Sequence, residues 1–142
     1  MNLKIFRECQ FKCCQWSGGQ TTEVFISPDS ASYKKKDFDC RVSTASVEKG
    51  YSHFTNFSGI DRFLILLEGT IDIWHNHGQV IQLHPFEPHL FQGKDITESL
   101  GACRDFNVMI KKDMYNVSQY YVIGGCDSKI SISGGREFLF VD

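Results

Sequence analysis

The sequence predicts an all-β domain, a sandwich or barrel of jelly-roll type, and three features of the chain lead there. Short runs rich in β-branched and aromatic residues recur along its whole length, broken by Gly, Pro, Asn and Asp. Sustained helical periodicity is missing. The run FLILL at residues 63–67 is apolar on both alternating faces, so a strand there is covered on both sides. At 142 residues the chain suits a single domain, 1–142, long enough to bury about two-thirds of its unfolded surface without a disulfide or metal staple.

Each element follows from local pattern. Residues 3–16 supply one or two strands with poorly defined alternation, and Ser17-Gly18-Gly19-Gln20 makes a turn. Residues 21–27 form a strand with Thr22, Val24 and Ile26 on one face and Thr21, Glu23 and Phe25 on the other, stopped by Pro28. Lys34-Lys35-Lys36, set between Pro28-Asp29-Ser30 and Asp37, reads as a solvated loop. Residues 38–47 alternate cleanly, Phe38, Cys40 and Val42 against Asp39, Arg41 and Ser43. Residues 50–59 mix aromatics with small polar residues.

The two-sided strand over 63–67 is expected to end in a Glu68-Gly69 turn, with residues 70–74 folding back as the second arm of a hairpin. Another hairpin turn at His75-Asn76-His77-Gly78 returns through residues 79–83. Pro85-Phe86-Glu87-Pro88 and Gly93-Lys94-Asp95 punctuate a loop. Residues 104–111 alternate again, placing Asp105, Asn107 and Met109 opposite Phe106, Val108 and Ile110. Three β-like runs close the chain, 117–123, 129–133 and 137–141, separated by Gly124-Gly125 and Gly134-Gly135.

Composition narrows the partners. A net charge of -2 argues against nucleic acid or an anionic membrane, because either rewards a basic face. No apolar run approaches the roughly 18 residues of a membrane span. Lys4, Arg7, Glu8 and Lys12 interrupt what a secretory leader would need as an apolar stretch, so a cytoplasmic location is expected. In that reducing compartment Cys9, Cys13, Cys14, Cys40, Cys103 and Cys126 are expected to be free thiols. Cys9-x3-Cys13-Cys14 lacks the C-x2-C pair of a zinc site.

Five polar residues fall on strands or strand mouths: Glu23, Arg41, Arg62, Asp105 and Asn107, with Asp39 and Asp61 beside them. Inside a small barrel such residues have two roles open to them. They line a pocket, where an arginine fork matches a carboxylate, or they pair as buried ions that hold the strands in register. Phe54, Phe57, Phe63 and Trp74 are expected in the core rather than in a ligand cage.

A set of motifs then resembles the HutD/Ves-like family of cupin-fold proteins, named for a histidine-utilisation operon and a stress-linked relative. Trp16-Ser17-Gly18-Gly19-Gln20-Thr21-Thr22-Glu23 is similar to its N-terminal signature, and Phe38-Asp39-Cys40-Arg41-Val42-Ser43 to its Asp-Trp-Arg-hydrophobic-Ser strand, with Cys40 where the family usually has Trp. Ser52-x-Phe54, Gly59-Ile60-Asp61-Arg62, Leu67-Glu68-Gly69 and Asp105-Phe106-Asn107-Val108-Met109 follow in order. The resemblance spans residues 9–112. It implies a cupin-like double-stranded β-helix of the bicupin-related kind. The chain ends earlier than full-length members, so an incomplete second half is the expectation.

A metal cupin carries the pattern G-x5-H-x-H-x3,4-E-x6-G, whose side chains hold the ion. With Gly69 as the closing glycine, the Glu position falls on Arg62, and the His pair on Asn56 and Ser58 or Thr55 and Phe57. A cation there repels a metal. Gly69-x5-His75-x-His77 matches literally but has Ile81 and Gln82 where the Glu belongs. His75, His77 and His89 are therefore expected in surface or turn roles, and neither metal nor cofactor is expected. The leading expectation is a metal-free protein binding a small carboxylate metabolite, with Arg62, Arg41, Glu23, Asp105 and Asn107 as its site. The resemblance by itself implies little about activity; taken with Arg62 at the ligand Glu position, it makes a regulatory role in histidine- or glutamate-related catabolism or in a stress response the expectation. The alternative is a metal-independent isomerase or hydrolase of a small acid, using Glu23 or Asp105 as base and Arg62 as electrostatic stabiliser. Pairing of two copies through sheet edges is a further option.

Overall fold

A computed structural model describes residues 10–48, 50–114, 116–123, 127–133 and 136–141, with side chains described over 10–48 and 50–114. Residues 3–9 of the first expected strand region, Cys126, Gly124-Gly125 and Gly134-Gly135 lie outside the described residues. The strands are β1 (Lys12–Trp16), β2 (Gly19–Ser27), β3 (Cys40–Val47), β4 (Tyr51–His53), β5 (Ile60–His75), β6 (Ile81–Leu83), β7 (Pro88–Gln92), β8 (Thr97–Lys111), β9 (Asn116–Ile123), β10 (Asp127–Ser133) and β11 (Arg136–Val141). The first eight form one antiparallel sheet in the order β1-β2-β3-β8-β5-β6, with β4 on β8 and β7 on β5. The last three form a second sheet, β11-β10-β9, on the runs expected for the tail. Among the described residues no helix is long and apolar enough to cross a membrane.

The two long strands organise the molecule. β5 and β8 pair from Ile60↔Lys111 to His75↔Thr97, and each changes its other partner along the way. β5 carries β7 along its first half and β6 along its second, while β8 carries β4 early and β3 late. The expected hairpin at Glu68-Gly69 is therefore corrected: the chain runs straight through it as one 16-residue strand. Between Leu66↔Asp105 and Glu68↔Arg104 the register shifts, leaving Leu67 as the extra residue of a bulge. Gly69 follows at φ +83, and a Cβ on it would stand 2.3 Å from the Ala102 carbonyl oxygen. A turn and a bulge demand the same backbone freedom, so Glu-Gly signals both.

Two further expectations change. A bulge in β2 between Glu23 and Phe25 puts them on opposite faces, since Glu23 pairs with Ser43 and Phe25 with Val42. The stretch between Pro85 and Asp95 contains strand β7 rather than loop alone. The second hairpin forms at the expected turn, with Asn76 at φ 52, His77 at φ 57 and Ile73↔Ile81 pairing below it, but its return strand begins at Ile81 rather than at residue 79.

Alternation in β3, β5 and β8 builds two buried faces. One holds Cys40, Val42, Phe63, Ile65, Leu67, Phe106, Val108 and Ile110, with Val24, Phe25 and Phe86 packed against them. The other carries Arg41, Ser43, Arg62, Asp105 and Asn107 between two apolar clusters, one around Leu64, Leu66, Ile71 and Phe91 and one around Phe38, Phe57, Ile60 and Met109. Phe63–Leu67 is buried on both sides.

Candidate functional site

Strand register assembles this face row by row. Ile26, Arg41, Met109, Arg62 and Phe91 stand side by side across β2, β3, β8, β5 and β7. The next row is Glu23, Ser43, Asn107, Leu64 and His89. A third sets Asp105 between Ala45 and Leu66. Glu23 joins the face because the β2 bulge restores its parity with Arg41. All five residues singled out in the sequence thus lie on one inner face, while Asp39 and Asp61 pair outward with Lys111 and Lys112 at 3.6 and 3.9 Å.

The two arginines have different surroundings. Arg41 donates from Nε to Glu23 Oε2 at 2.8 Å and from Nη1 to Ser43 Oγ at 3.4 Å, with its guanidinium over the Tyr33 ring. That is a structural ion pair. Arg62 has no ion pair among the described residues. Its guanidinium lies 5.1 and 5.2 Å from the centroids of Phe54 and Phe91, its Nη1 donates a long 3.4 Å bond to the Thr55 carbonyl, and its buried Nε has no partner. Rings against a planar cation leave its N–H edges for hydrogen bonding. Phe54 therefore flanks the cation, Phe57 and Phe63 are core, and Trp74 is half-buried and donates to Glu98 at 2.7 Å.

Two acceptors complete the face. Asp105 Oδ1 and Asn107 Oδ1 are buried without a hydrogen-bond partner. Burial pushes the Asp105 carboxyl up to about 7, against the pull of Arg62 and a hydrogen bond from the Ala45 backbone. Desolvation likewise pulls Arg62 down to about 10; Tyr33 and Asp105 oppose the fall and Arg41 adds to it. A lone buried donor and two lone buried acceptors are costly in an apolar interior, roughly 1–3 kcal/mol each.

The expectation of surface or turn roles fails for two histidines. His77 is exposed at its hairpin tip, but His75 and His89 are half-buried, with Nε2 atoms 2.7 Å apart and His75 Nδ1 2.8 Å from Thr97 Oγ1. Both rings contact Phe91, which also touches Arg62. Desolvation lowers the pKa of each, and the His75 charge lowers that of His89 further. A strand over residues 88–92 is the signal that would have found His89, because period-two spacing puts it on one face with Phe91. Among the described residues no group of three or more His, Cys, Asp or Glu is placed to hold a metal ion.

Comparison with known proteins gives the fold a context. The family model described as HutD matches residues 9–138. No curated protein matches the chain. A conserved protein of unknown function from Pseudomonas aeruginosa PAO1 superposes with a TM-score of 0.73 at 23% identity, over 85% of this chain and 64% of that one. HutD from Pseudomonas fluorescens SBW25 gives 0.69 at 23% identity, over 82% of this chain and 65% of that one. The chain thus spans just under two-thirds of these two relatives. A cupin domain of an XRE family transcriptional regulator from Enterobacter cloacae gives 0.52 at 12% identity, over 66% of this chain and 97% of that one. The fold is that of the cupins.

Proposed function

The chain belongs to the HutD family, and from that premise we propose that it binds a small carboxylate metabolite through Arg62, without a metal, as a regulator in histidine- or glutamate-related catabolism or in a stress response. One observation carries the reading. Arg62 is a buried cation with an unpartnered Nε, no ion pair among the described residues, and aromatic rings holding its plane. An uncompensated buried charge costs several kcal/mol, and a carboxylate is the partner whose geometry fits a guanidinium edge. Arg41 and Glu23 satisfy one another, so in this reading they position the wall beside the ligand.

A thermal-shift series with glutamate, its formyl and formimino derivatives and urocanate tests it. A true ligand at a hundredfold excess over its Kd stabilises the wild type by about 2.7 kcal/mol, and Arg62→Ala loses that stabilisation. If no compound stabilises the wild type more than the variant, the site is not a carboxylate site.

A second reading, a metal-independent enzyme, draws on the Asp105 carboxyl standing near 7 on the same face as Arg62, where a general base is poised for work at neutral pH. Glu23 is held by Arg41, which leaves Asp105 as the base. Turnover of a small acid that disappears in Asp105→Asn, with binding retained, would favour this reading over a binding protein.

A further inference from the structure

The other side of the sheet, away from Arg62, holds a second cluster of aromatic and charged side chains. Where β4, β8 and β5 run together near the hairpin, alternation turns Ser52, Ser99 and Ile73 inward and Tyr51, Glu98, Leu100 and Trp74 outward. His53, Glu98 and Trp74 form one row, and Tyr51, Leu100 and Asp72 the next. Tyr51 donates its hydroxyl to Glu98 Oε1, and Trp74 Nε1 donates to Oε2 at 2.7 Å. The two ring centroids stand 6.4 Å apart at an interplanar angle of 42°, an open V with the carboxylate at its polar edges. We propose that this V is a binding site for a methylated ammonium ion, with Tyr51 and Trp74 as its walls and Glu98 as the counter-charge.

Uncancelled charge carries the argument. The Glu98 side chain is 14% exposed, and among the described residues no lysine or arginine pairs with it. Its partner by charge is His77, whose Nδ1 lies 3.5 Å from Oε2 on a ring 73% exposed at the hairpin tip. The hydrogen bond from Tyr51 holds the Glu98 carboxyl below its usual range against the opposing effect of desolvation, and Trp74, His77 and His53 pull the same way as Tyr51. Glu98 is therefore an anion at neutral pH. Neutral O–H and N–H donors satisfy carboxylate oxygens without cancelling the charge. A cation seated on the rings does cancel it, because an aromatic face is itself negative and attracts a cation within about 6 Å of its centroid.

The same hydrogen bonds select the kind of cation. Each Glu98 oxygen already accepts from a side chain, which leaves fewer lone pairs for the donors of a primary ammonium or for the oxygen shell that a hard metal ion demands. A methylated ammonium makes no such demand. Its charge is spread over methyl groups that pack against the two rings, and Leu100, 50% exposed in the row of Tyr51, adds apolar surface beside them. A bracket that only tied β4 and β5 to β8 would need the hydrogen bonds but not the charge, and a glutamine would serve it equally well. The open mouth of the V and the uncancelled carboxylate are what a cationic ligand reads.

A matched pair of probes tests the proposal: choline, and its uncharged isostere dimethylbutanol, in which carbon replaces the ammonium nitrogen. Each is titrated into the full chain at about pH 8, above the ordinary histidine range, with potassium chloride as the ionic-strength reference. Binding is followed by NMR at the indole N–H of Trp74, told apart from that of Trp16 by its loss in Trp74→Phe. Choline is expected to move the Trp74 signal, leave that of Trp16 in place, and bind at least about tenfold more tightly than the isostere. In Glu98→Gln, which keeps hydrogen-bonding capacity and removes the charge, that ratio is expected to fall toward one, and Tyr51→Leu should weaken choline severalfold. Equal affinity for the two probes reduces the V to an apolar patch and overturns the inference. A Trp74 signal that choline does not move overturns it too, leaving a bracket between strands, as does a ratio untouched in folded Glu98→Gln. Should that variant fail to fold, the wild-type ratio and Tyr51→Leu decide.

Discussion

Replacing Asp105 with asparagine should make this protein more stable, and only at the upper end of the pH range. The carboxyl ordinarily titrates near 3.8 and stands at about 7 here, raised mainly by burial. Between those two values the folded state keeps a proton that the unfolded chain has released. Stability from this group is therefore complete below pH 3.8 and is lost as pH rises through 7. A shift of about three units at 1.36 kcal/mol each amounts to at most ~4 kcal/mol. The substituted amide would resemble the protonated acid in shape and hydrogen bonding and cannot ionise. Chemical denaturation followed by circular dichroism at pH 4 and pH 8 should show Asp105→Asn close to the wild type at pH 4 and about 2–4 kcal/mol more stable at pH 8. His75 and His89 titrate in both proteins and drop out of the difference. If the variant is the less stable protein at pH 8, or if the difference is the same at both pH values, the buried carboxyl is not the stored cost inferred here. A residue that costs stability where it stands is what a binding or catalytic site retains.

Three other expectations concern the scaffold and its histidines. Glu23→Ala strips Arg41 of its 2.8 Å partner in a pair whose side chains are 8 and 13% exposed, so a loss of about 3–5 kcal/mol is expected; adding Arg41→Ala should cost much less than its effect alone, and simple additivity in denaturation midpoints would rule the pair out as a unit. Gly59 and Gly69 both have left-handed backbones, but a Cβ meets nothing within 4 Å at Gly59 and a carbonyl oxygen at 2.3 Å at Gly69. Alanine should cost about 1–2 kcal/mol at Gly59 and about 1–3 kcal/mol more at Gly69, and equal losses would contradict the close approach of β5 to β8. The pKa values of His75 and His89 are lowered in the fold, so their contribution is present above the ordinary 6.5 and is lost as pH falls from there toward the lowered values. His89→Gln should flatten the fall in Tm between pH 7 and 5, whereas an unchanged or steeper fall would show that burial in the fold does not disfavour the charged form of His89.

The strands were legible wherever pairing leaves a local trace. Alternation at Phe38, Cys40 and Val42 against Arg41 and Ser43, and at Asp105, Asn107 and Met109 against Phe106, Val108 and Ile110, follows from the period of a pleated strand and holds in β3 and β8. It also put four of the five candidate residues on faces that β3, β5 and β8 bring together. Glu23 reached that face by a different route. Its sequence neighbours suggest a shared side with Phe25, and the bulge that separates them exists only because β2 is fitted to β3. The Glu68-Gly69 signal was real but ambiguous, since nothing local tells a turn from a bulge when the deciding fact is that β8 is long enough to pair both halves of β5.

By itself the sequence determined most of the strand content, the family, and the placing of two arginines, Asp105 and Asn107 on strands of one sheet, because composition and period-two patterning are properties of neighbouring residues. Only the tertiary structure decided how those charges divide. Arg41 is satisfied because β2 lies beside β3 and carries Glu23 to it, whereas Arg62 and Asp105 stay without an ion-pair partner among the described residues, and β7 brings His89 to His75 from 14 positions away. Ion pairing and hydrogen bonding depend on distances of a few ångströms between strands far apart in the chain, and no local pattern encodes those.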